Sequence, residues 1–347
     1  MSIIPTVESG TNHQAELLPT HTPELFERAL ERAAFLLKKG EVVALPTETV
    51  YGLAANALDA RAVEKIYQVK GRPSHNPIIV HVTGLEMARE CAREWPPAAE
   101  KLARAFWPGP LTLVLPRSRM IPDIVTAGGD TVGIRWPGHP FMQEVIRRCG
   151  FPLAAPSANP SNEISPTNAR HVLRNLGNRI PLVVDGGQSQ VGIESTVLDL
   201  CVNPPRILRP GMVHAEALLT ILGDLAVAGQ AEGQLRSPGL LPKHYSPKGK
   251  LLLLHWRNDA DLHQQLSAHG ISGTGCHVIA YDRIPSVEGL ARVAVIPHDA
   301  EAFARAIYGE LHACDEAGAR WIVAEAPPGG SEWGGVTDRL SRAGAIV

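Results

Sequence analysis

Between residues 41 and 213 the apolar residues come in short runs: EVVALP, PIIVHV, LTLVLP, TVGIRWP, FPLAAPSA, PLVVDGG, STVLDL and RILRPG. Runs of this length, bounded by proline, glycine and hydroxyl side chains, read as buried strands. Amphipathic helices are interleaved with them. TPELFERALERAAFLLKKG places Leu25, Ala29, Leu30, Ala33 and Leu36 at helical spacing, opens on Thr22-Pro23 and closes on Gly40. DARAVEKIYQVKG puts Val63, Ile66, Tyr67 and Val69 near one face, with Asp59 as N-cap and Gly71 as the stop. HPFMQEVIRRCG and TNARHVLRNLG follow the same logic. This alternation predicts an α/β or α+β domain around a mixed sheet, ending near residue 213.

The texture changes after that. Residues 214–223 suit one short helix, and AVAGQAEGQLRSPGLLPKHYSPKGK reads as a long Gly/Pro/Ser-rich connector. From residue 250 strands and helices alternate again: KLLLLHW, CHVIAYD, RVAVIP, the helix DAEAFARAIYGELHACDEAGA, and WIVAEAPP. The expected organisation is a frayed tail over 1–22, a first domain over 23–213, a connector over 214–249 and a smaller Rossmann-like α/β domain over 250–347. At 347 residues and 44% hydrophobic, the chain is long enough for two such cores.

Several classes are disfavoured. A net charge of −2 implies no strong overall attraction to nucleic acid or membrane. Five scattered cysteines without a CxxC pair argue against a disulfide framework or a cysteine-rich zinc site, and for a reducing, cytoplasmic compartment. The N-terminus lacks the layout of a signal peptide, and no apolar run reaches membrane-spanning length. Neither GxxxxGK[ST] nor GxGxxG, HExxH or GxSxG is present. A bound nucleotide would therefore have its phosphates held by side chains.

Polar and basic residues recur where the apolar runs end. In LPTETVYGL, Thr47, Glu48 and Thr49 follow a buried strand. In KGRPSHNP, Lys70 ends a helix and Arg72 is held extended by Pro73, so the two can converge on one anion, with Ser74 and Asn76 nearby. The competing reading is basic residues favouring a helix dipole. Ser157 and Asn159 in APSANPSNEISPT sit at a strand's carboxyl end, where α/β sheets bind ligands. Ser165 and Thr167 equally suit a helix cap. Arg135 in GIRWP needs a carboxylate, from the protein or from a ligand. Glu194-Ser195-Thr196 opens another strand, and Arg209 closes one. His81 in IIVHV reads equally as a satisfied core histidine. The cluster fits a polyanion plus a small polar ligand: a nucleotide-using enzyme, or alternatively a module binding double-stranded RNA or tRNA without nucleotide turnover.

In order and spacing, PTETVYGLAANA, KGRPSHNPIIVHV, FWPGPLTLVL, GIRWPGHP, APSANPS…SPT, GIESTVLDL and ILRPG resemble the threonylcarbamoyl-AMP synthase family, whose catalytic part is the YrdC-like domain. SPGLLPKHYSP resembles the linker of its long, two-domain form, and GGVTDRLSRAGA its C-terminal domain. The resemblance implies a twisted mixed sheet with a concave positive face. It implies condensation of L-threonine, bicarbonate or carbon dioxide, and ATP to threonylcarbamoyl-adenylate and pyrophosphate, with Mg2+ accompanying ATP and no protein metal cage. The product would serve threonylcarbamoyladenosine modification of tRNA through a partner transferase complex, with weak direct RNA binding allowed. Carried over by motif, Lys70, Arg72, Ser157 and Asn159 would be catalytic. Arg72, Asn76, Thr131, Asn159, Ser165, Arg209 and Tyr245 would bind ATP. Thr49, His81, Arg135, Ser157 and Ser195 would bind threonine, with Arg135 on its carboxylate. Tyr245 would fold over the ATP from the linker. The family often has Gly where this chain has Asn162, a residue type that tolerates positive φ.

Overall fold

The computed structural model describes residues 14–227, 238 and 244–346. Residues 228–237 and 239–243 of the expected connector, and residues 1–13 of the expected tail, lie outside the described residues. Eleven strands form one mixed sheet. Their order is Glu16–Pro19, Leu182–Asp185, Val43–Leu45, Gly52–Asn56, Leu153–Ala154, Val80–His81, Thr131–Arg135, Leu111–Pro116, Thr196–Asp199, Arg206–Arg209 and Ala226–Val227. All eight runs read as strands contribute to it.

The absence of polar–apolar alternation in those runs has a direct cause: both faces of the sheet are covered. Val43, Leu45, Leu182 and Val184 point to one face, against Leu30 and Leu37 of the helix Pro23–Lys38 and Phe141 and Ile146 of Pro140–Cys149. Ala44 and Val183, one residue out of phase, join Val63, Ile66 and Leu102 on the other face. The caps predicted for the first two helices are in place, whereas the helix Ala169–Leu176 is capped by Asn168 and not by Ser165 or Thr167. Thr22 accepts from the Leu25 amide, Asp59 from the Arg61 amide, and Gly71 takes φ +59. Asn162 adopts φ +70, the conformation that makes glycine or asparagine suitable there.

Four strands form where none was expected: Ala226–Val227, in the expected connector, extends the first sheet beside Arg206–Arg209, Ala345–Ile346 extends the second, and two more lie earlier in the chain. Glu16–Pro19, assigned above to a frayed tail, pairs in parallel with Leu182–Asp185 at the sheet edge. ELLP is too short to signal a strand by itself; a partner already in register makes it one. Gly52–Asn56, built of small residues with low strand propensity, is central. Smallness is what the position requires, because a Cβ on Gly52 would lie 3.3 Å from that of Ala155.

The second sheet is wholly parallel, in the order Arg292–Val295, Cys276–Ala280, Trp321–Glu325, Lys250–Leu254 and Ala345–Ile346. The helix Ala300–Glu316 and the helix Gly334–Ala343 pack between it and the first domain. One apolar cluster crosses the boundary, joining Val50, Ile164 and Ile193 to Phe303, Ile307, Tyr308 and Val336. The contact has no slack. A Cβ on Gly192, at φ +86, would lie 2.4 Å from both the Ala304 carbonyl oxygen and the Arg305 Cα. Gly192→Ala should therefore destabilise the protein by about 1–3 kcal/mol in urea unfolding. An unchanged midpoint would mean that the interface yields.

Candidate active site

The carboxyl ends of several strands of the large sheet meet at one cleft, and three loops make its walls. Main-chain bonds stitch these loops together. Ala158 N donates to the Tyr51 carbonyl at 2.8 Å, Val191 N to that of Glu48 at 2.7 Å, and Gly192 N to that of Thr49 at 3.1 Å. Ser189 Oγ donates to the Thr47 carbonyl at 3.0 Å. The cleft is narrow, with a cavity volume of about 50 Å³. Tyr245 and His244, from the far end of the connector, line it together with Thr49, His81, Arg135 and Ser157.

The polar ending of LPTETVYGL is a braced turn. Thr47 Oγ1 accepts from the amides of Thr49 and Val50 and donates to the Val50 carbonyl at 2.6 Å. A 2.9 Å bond also joins the Thr47 and Thr49 hydroxyls, either of which can donate. Thr49 lines the cleft. Glu48, to which the sequence assigned no role, reaches Arg135 with 2.7 Å between charged atoms, at angles that do not make a hydrogen bond. The internal salt bridge foreseen for Arg135 exists, and Arg135 also lines the cleft. His81 lies opposite Arg135 in parallel register. Burial first, then the Arg135 charge, push its pKa down to about 3, so the imidazole is neutral.

Arg72 and Arg209 are buried, line the cleft, and form no ion pair among the described residues. Oxygen acceptors hold them instead. Arg72 donates from Nε to the Asn76 carbonyl, and from one Nη to Asn76 Oδ1 and the Pro77 carbonyl. Arg209 donates from Nε and Nη2 to the Ser195 carbonyl and from Nη1 to that of Pro238. Burial lowers the Arg72 pKa to about 10, which still leaves it protonated near neutral pH. Both guanidiniums are held by neutral oxygens; Arg209 also feels the Glu194 carboxylate, which leaves Arg72 the freer charge for an anion.

Five of the expected site residues do not line the cleft. Lys70 lies behind Ser157, donating to the carbonyls of Ser157 and Asn159 at 2.6 and 2.5 Å and to Asn159 Oδ1 at 3.3 Å. Burial pushes its pKa well down, and these oxygens solvate its N–H groups. It braces the Ser157–Asn159 loop and does not extend with Arg72 into the cleft. Asn159 caps Lys70 and donates to the Glu163 carbonyl. Asn76 orients Arg72. Thr131 begins the strand that Arg135 ends. Ser165 donates to Glu194 Oε1.

Sequence reading noted Thr47 and Glu194 without giving them a role and passed over His244; all three line the cleft. It also missed three residues of the second domain. Arg339 bonds Glu194 Oε2 at 2.8 Å, Tyr308 donates to the same oxygen at 3.1 Å, and His312 Nε2 meets the Ser165 carbonyl at 3.1 Å. A signal for Arg339 does exist: Val336, Leu340 and Ala343 share its helix face, so the arginine interrupts an apolar stripe.

A mixed α/β sheet that presents buried arginines beside a neutral histidine and hydroxyls, under a tyrosine from the connector to a second parallel-sheet domain, defines a two-domain class of anion- and amino-acid-binding enzyme. Residues 35–211 match the Sua5/YciO/YrdC family model, described as "Telomere recombination", and residues 213–345 match "Threonylcarbamoyl-AMP synthase, C-terminal domain". The chain is 38% identical to the threonylcarbamoyl-AMP synthase of Pyrococcus abyssi, over 84% of this chain and 87% of that one. It is also 38% identical to that of Bacillus subtilis, over 94% of each. Its fold matches the crystal structure of P. abyssi Sua5 complexed with L-threonine, with a TM-score of 0.87 and 34% identity over 95% of this chain and 98% of that one. The chain belongs to the threonylcarbamoyl-AMP synthase family.

Glu194 gives a pH test. Burial alone would raise its carboxyl, but Arg339 and Arg209 outweigh burial and hold it at about 2. A carboxyl lowered on folding stabilises the fold above its unfolded value of about 4.3, and that contribution is lost as pH falls toward 2. It is on the order of 3 kcal/mol. The stability gap between wild type and Glu194→Gln in urea should therefore narrow between pH 6 and about pH 3. A constant gap would place the Glu194 carboxyl in the ordinary range.

Proposed function

We infer that the protein condenses L-threonine, bicarbonate or carbon dioxide, and ATP into threonylcarbamoyl-adenylate and pyrophosphate. The carrying observation is the pairing, in one cleft, of two buried guanidiniums that form no ion pair among the described residues and a third, Arg135, beside a neutral histidine. Arg72 and Arg209 suit the phosphates of MgATP. Arg135 suits the carboxylate of threonine, which would share or replace Glu48 on the guanidinium. Thr49 lines the cleft and its hydroxyl suits the amine or hydroxyl of that amino acid. His81 Nδ1, His244 Nδ1 and Tyr245 Oη are buried without hydrogen-bond partners among the described residues and line the same cleft, so each has capacity for a ligand.

In the chemistry we propose, the threonine amine adds to carbon dioxide and loses a proton, forming a carbamate. A carbamate oxygen then attacks the α-phosphorus, and pyrophosphate leaves. Such displacement depends on positioning and on spreading the phosphate charge, which fixed arginines provide. Glu194, the carboxylate that lines the cleft, is already engaged by Ser165, Arg339 and Tyr308. No group of three or more metal-ligating side chains exists among the described residues. Magnesium therefore suits a role as part of MgATP, held by phosphate and water. Lys70 and Asn159 act by holding the Ser157 loop, Asn76 by aiming Arg72, Ser165 by holding Glu194, and Thr131 on the nucleotide side. Tyr245 closes over the ATP.

Among the described residues no helix is long and apolar enough to cross a membrane. We place the reaction in the cytoplasm, with the product passed to a transferase complex acting on tRNA. Incubation with MgATP, threonine and bicarbonate should release pyrophosphate in a threonine-dependent manner. Arg72→Ala should lower turnover by about 10²-fold or more while preserving far-UV circular dichroism. Steeply salt-dependent RNA binding with no threonine-dependent turnover would favour the RNA-binding module instead.

A further inference from the structure

We propose that Arg339, a second-domain residue that does not line the cleft, is a positioning residue for its nucleotide end, fixing Ser195 and Arg209 and so making turnover in the first domain depend on docking of the second. This rests on the function proposed above and adds a role for a side chain that touches neither substrate.

The guanidinium of Arg339 is almost wholly buried, at 1% exposure. Its donors reach several points of the first domain. Nε bonds Glu194 Oε2 at 2.8 Å, Nη2 bonds the Glu194 carbonyl at 3.1 Å, and Nη1 bonds the Pro210 carbonyl at 2.9 Å. Asp338 takes Nη1 as well, at 2.7 Å. The plane also lies 5.4 Å from the centre of the Tyr245 ring. Glu194 immediately precedes Ser195, and Pro210 immediately follows Arg209. Ser195 and Arg209 are in turn joined, with Arg209 donating to the Ser195 carbonyl at 3.1 and 3.0 Å and to its Oγ at 3.2 Å. One side chain thus spans both backbone segments that deliver the Ser195–Arg209 pair, and supports the tyrosine that covers it.

The surrounding packing leaves these segments little freedom to settle elsewhere. A Cβ on Gly335, in the same helix as Arg339, would come within 2.9 Å of Ile193 Cδ1 and 3.0 Å of the Gly211 Cα. The helix backbone therefore rests directly on the residues flanking the pair.

The rival reading is that Arg339 only neutralises the buried Glu194 carboxylate. Geometry separates the two. A lysine keeps the charge but is a single point donor, unable to span Glu194 and the Pro210 carbonyl as a planar fork does. Arg339→Lys should keep a melting temperature close to wild type yet raise the KM for ATP at least tenfold. The KM for threonine should rise less than that for ATP, because only Ser195 among the threonine-side residues is loosened while Thr49, His81 and Arg135 keep their own supports. Wild-type KM for ATP in a folded Arg339→Lys would overturn the proposal. Should Arg339→Lys not fold, the pair Arg339→Met with Glu194→Gln removes both charges. Recovery of folding without recovery of ATP affinity supports positioning, whereas recovery of both overturns it. MgATP binding by calorimetry is measured on the same proteins. If wild type binds MgATP but releases no pyrophosphate with threonine, the proposed function fails, while weakened binding in Arg339→Lys still supports the positioning role.

Discussion

The structure turns on how it buries positive charge without neutralising it. Placing a guanidinium in a protein interior is costly unless its donors are satisfied, and a carboxylate is the usual partner. Here Arg72 and Arg209 are satisfied by main-chain and amide oxygens. Those oxygens must be held at fixed places, which is why the strand ends of the large sheet carry so many proline-bounded loops and why the loops are bonded to one another. A carboxylate at these arginines would occupy the place that an anionic ligand needs.

Arg135 shows the contrasting solution. It has Glu48 within 2.7 Å. A guanidinium already paired to a carboxylate of the chain is suited to exchanging or sharing that partner with the single carboxylate of an amino acid, and less suited to a triphosphate. The cleft is thus divided by charge balance. Arg72 and Arg209 form a strongly positive end, and Arg135, His81 and Thr49 a nearly neutral one. Glu194 sits where they meet, its charge held by Arg339 from the second domain.

Much of this was legible in the sequence because its causes are local. Strand runs covered on both faces, helix caps and glycines at positive φ each follow from a few neighbouring residues, and all eight strand runs of the first domain are found. Strand ends carrying Thr49, His81, Arg135, Ser157, Ser195 and Arg209 do converge. What was illegible depends on partners distant in sequence. Glu16–Pro19 is a strand only because Leu182–Asp185 lies beside it. Lys70 looked like a phosphate ligand because its spacing from Arg72 allows convergence, yet carbonyls almost ninety residues later claim its protons. Arg339 interrupts an apolar helix face, but its partners, Glu194 and Pro210, lie well over a hundred residues earlier.

A crystal structure with L-threonine and a non-hydrolysable ATP analogue tests the division of the cleft most directly. Phosphate oxygens within hydrogen-bond reach of Arg72 and Arg209, with the threonine carboxylate on Arg135 beside His81, is the expected result. A triphosphate bound elsewhere, or a threonine carboxylate on Arg72 or Arg209 with Arg135 still closed on Glu48 alone, would contradict it.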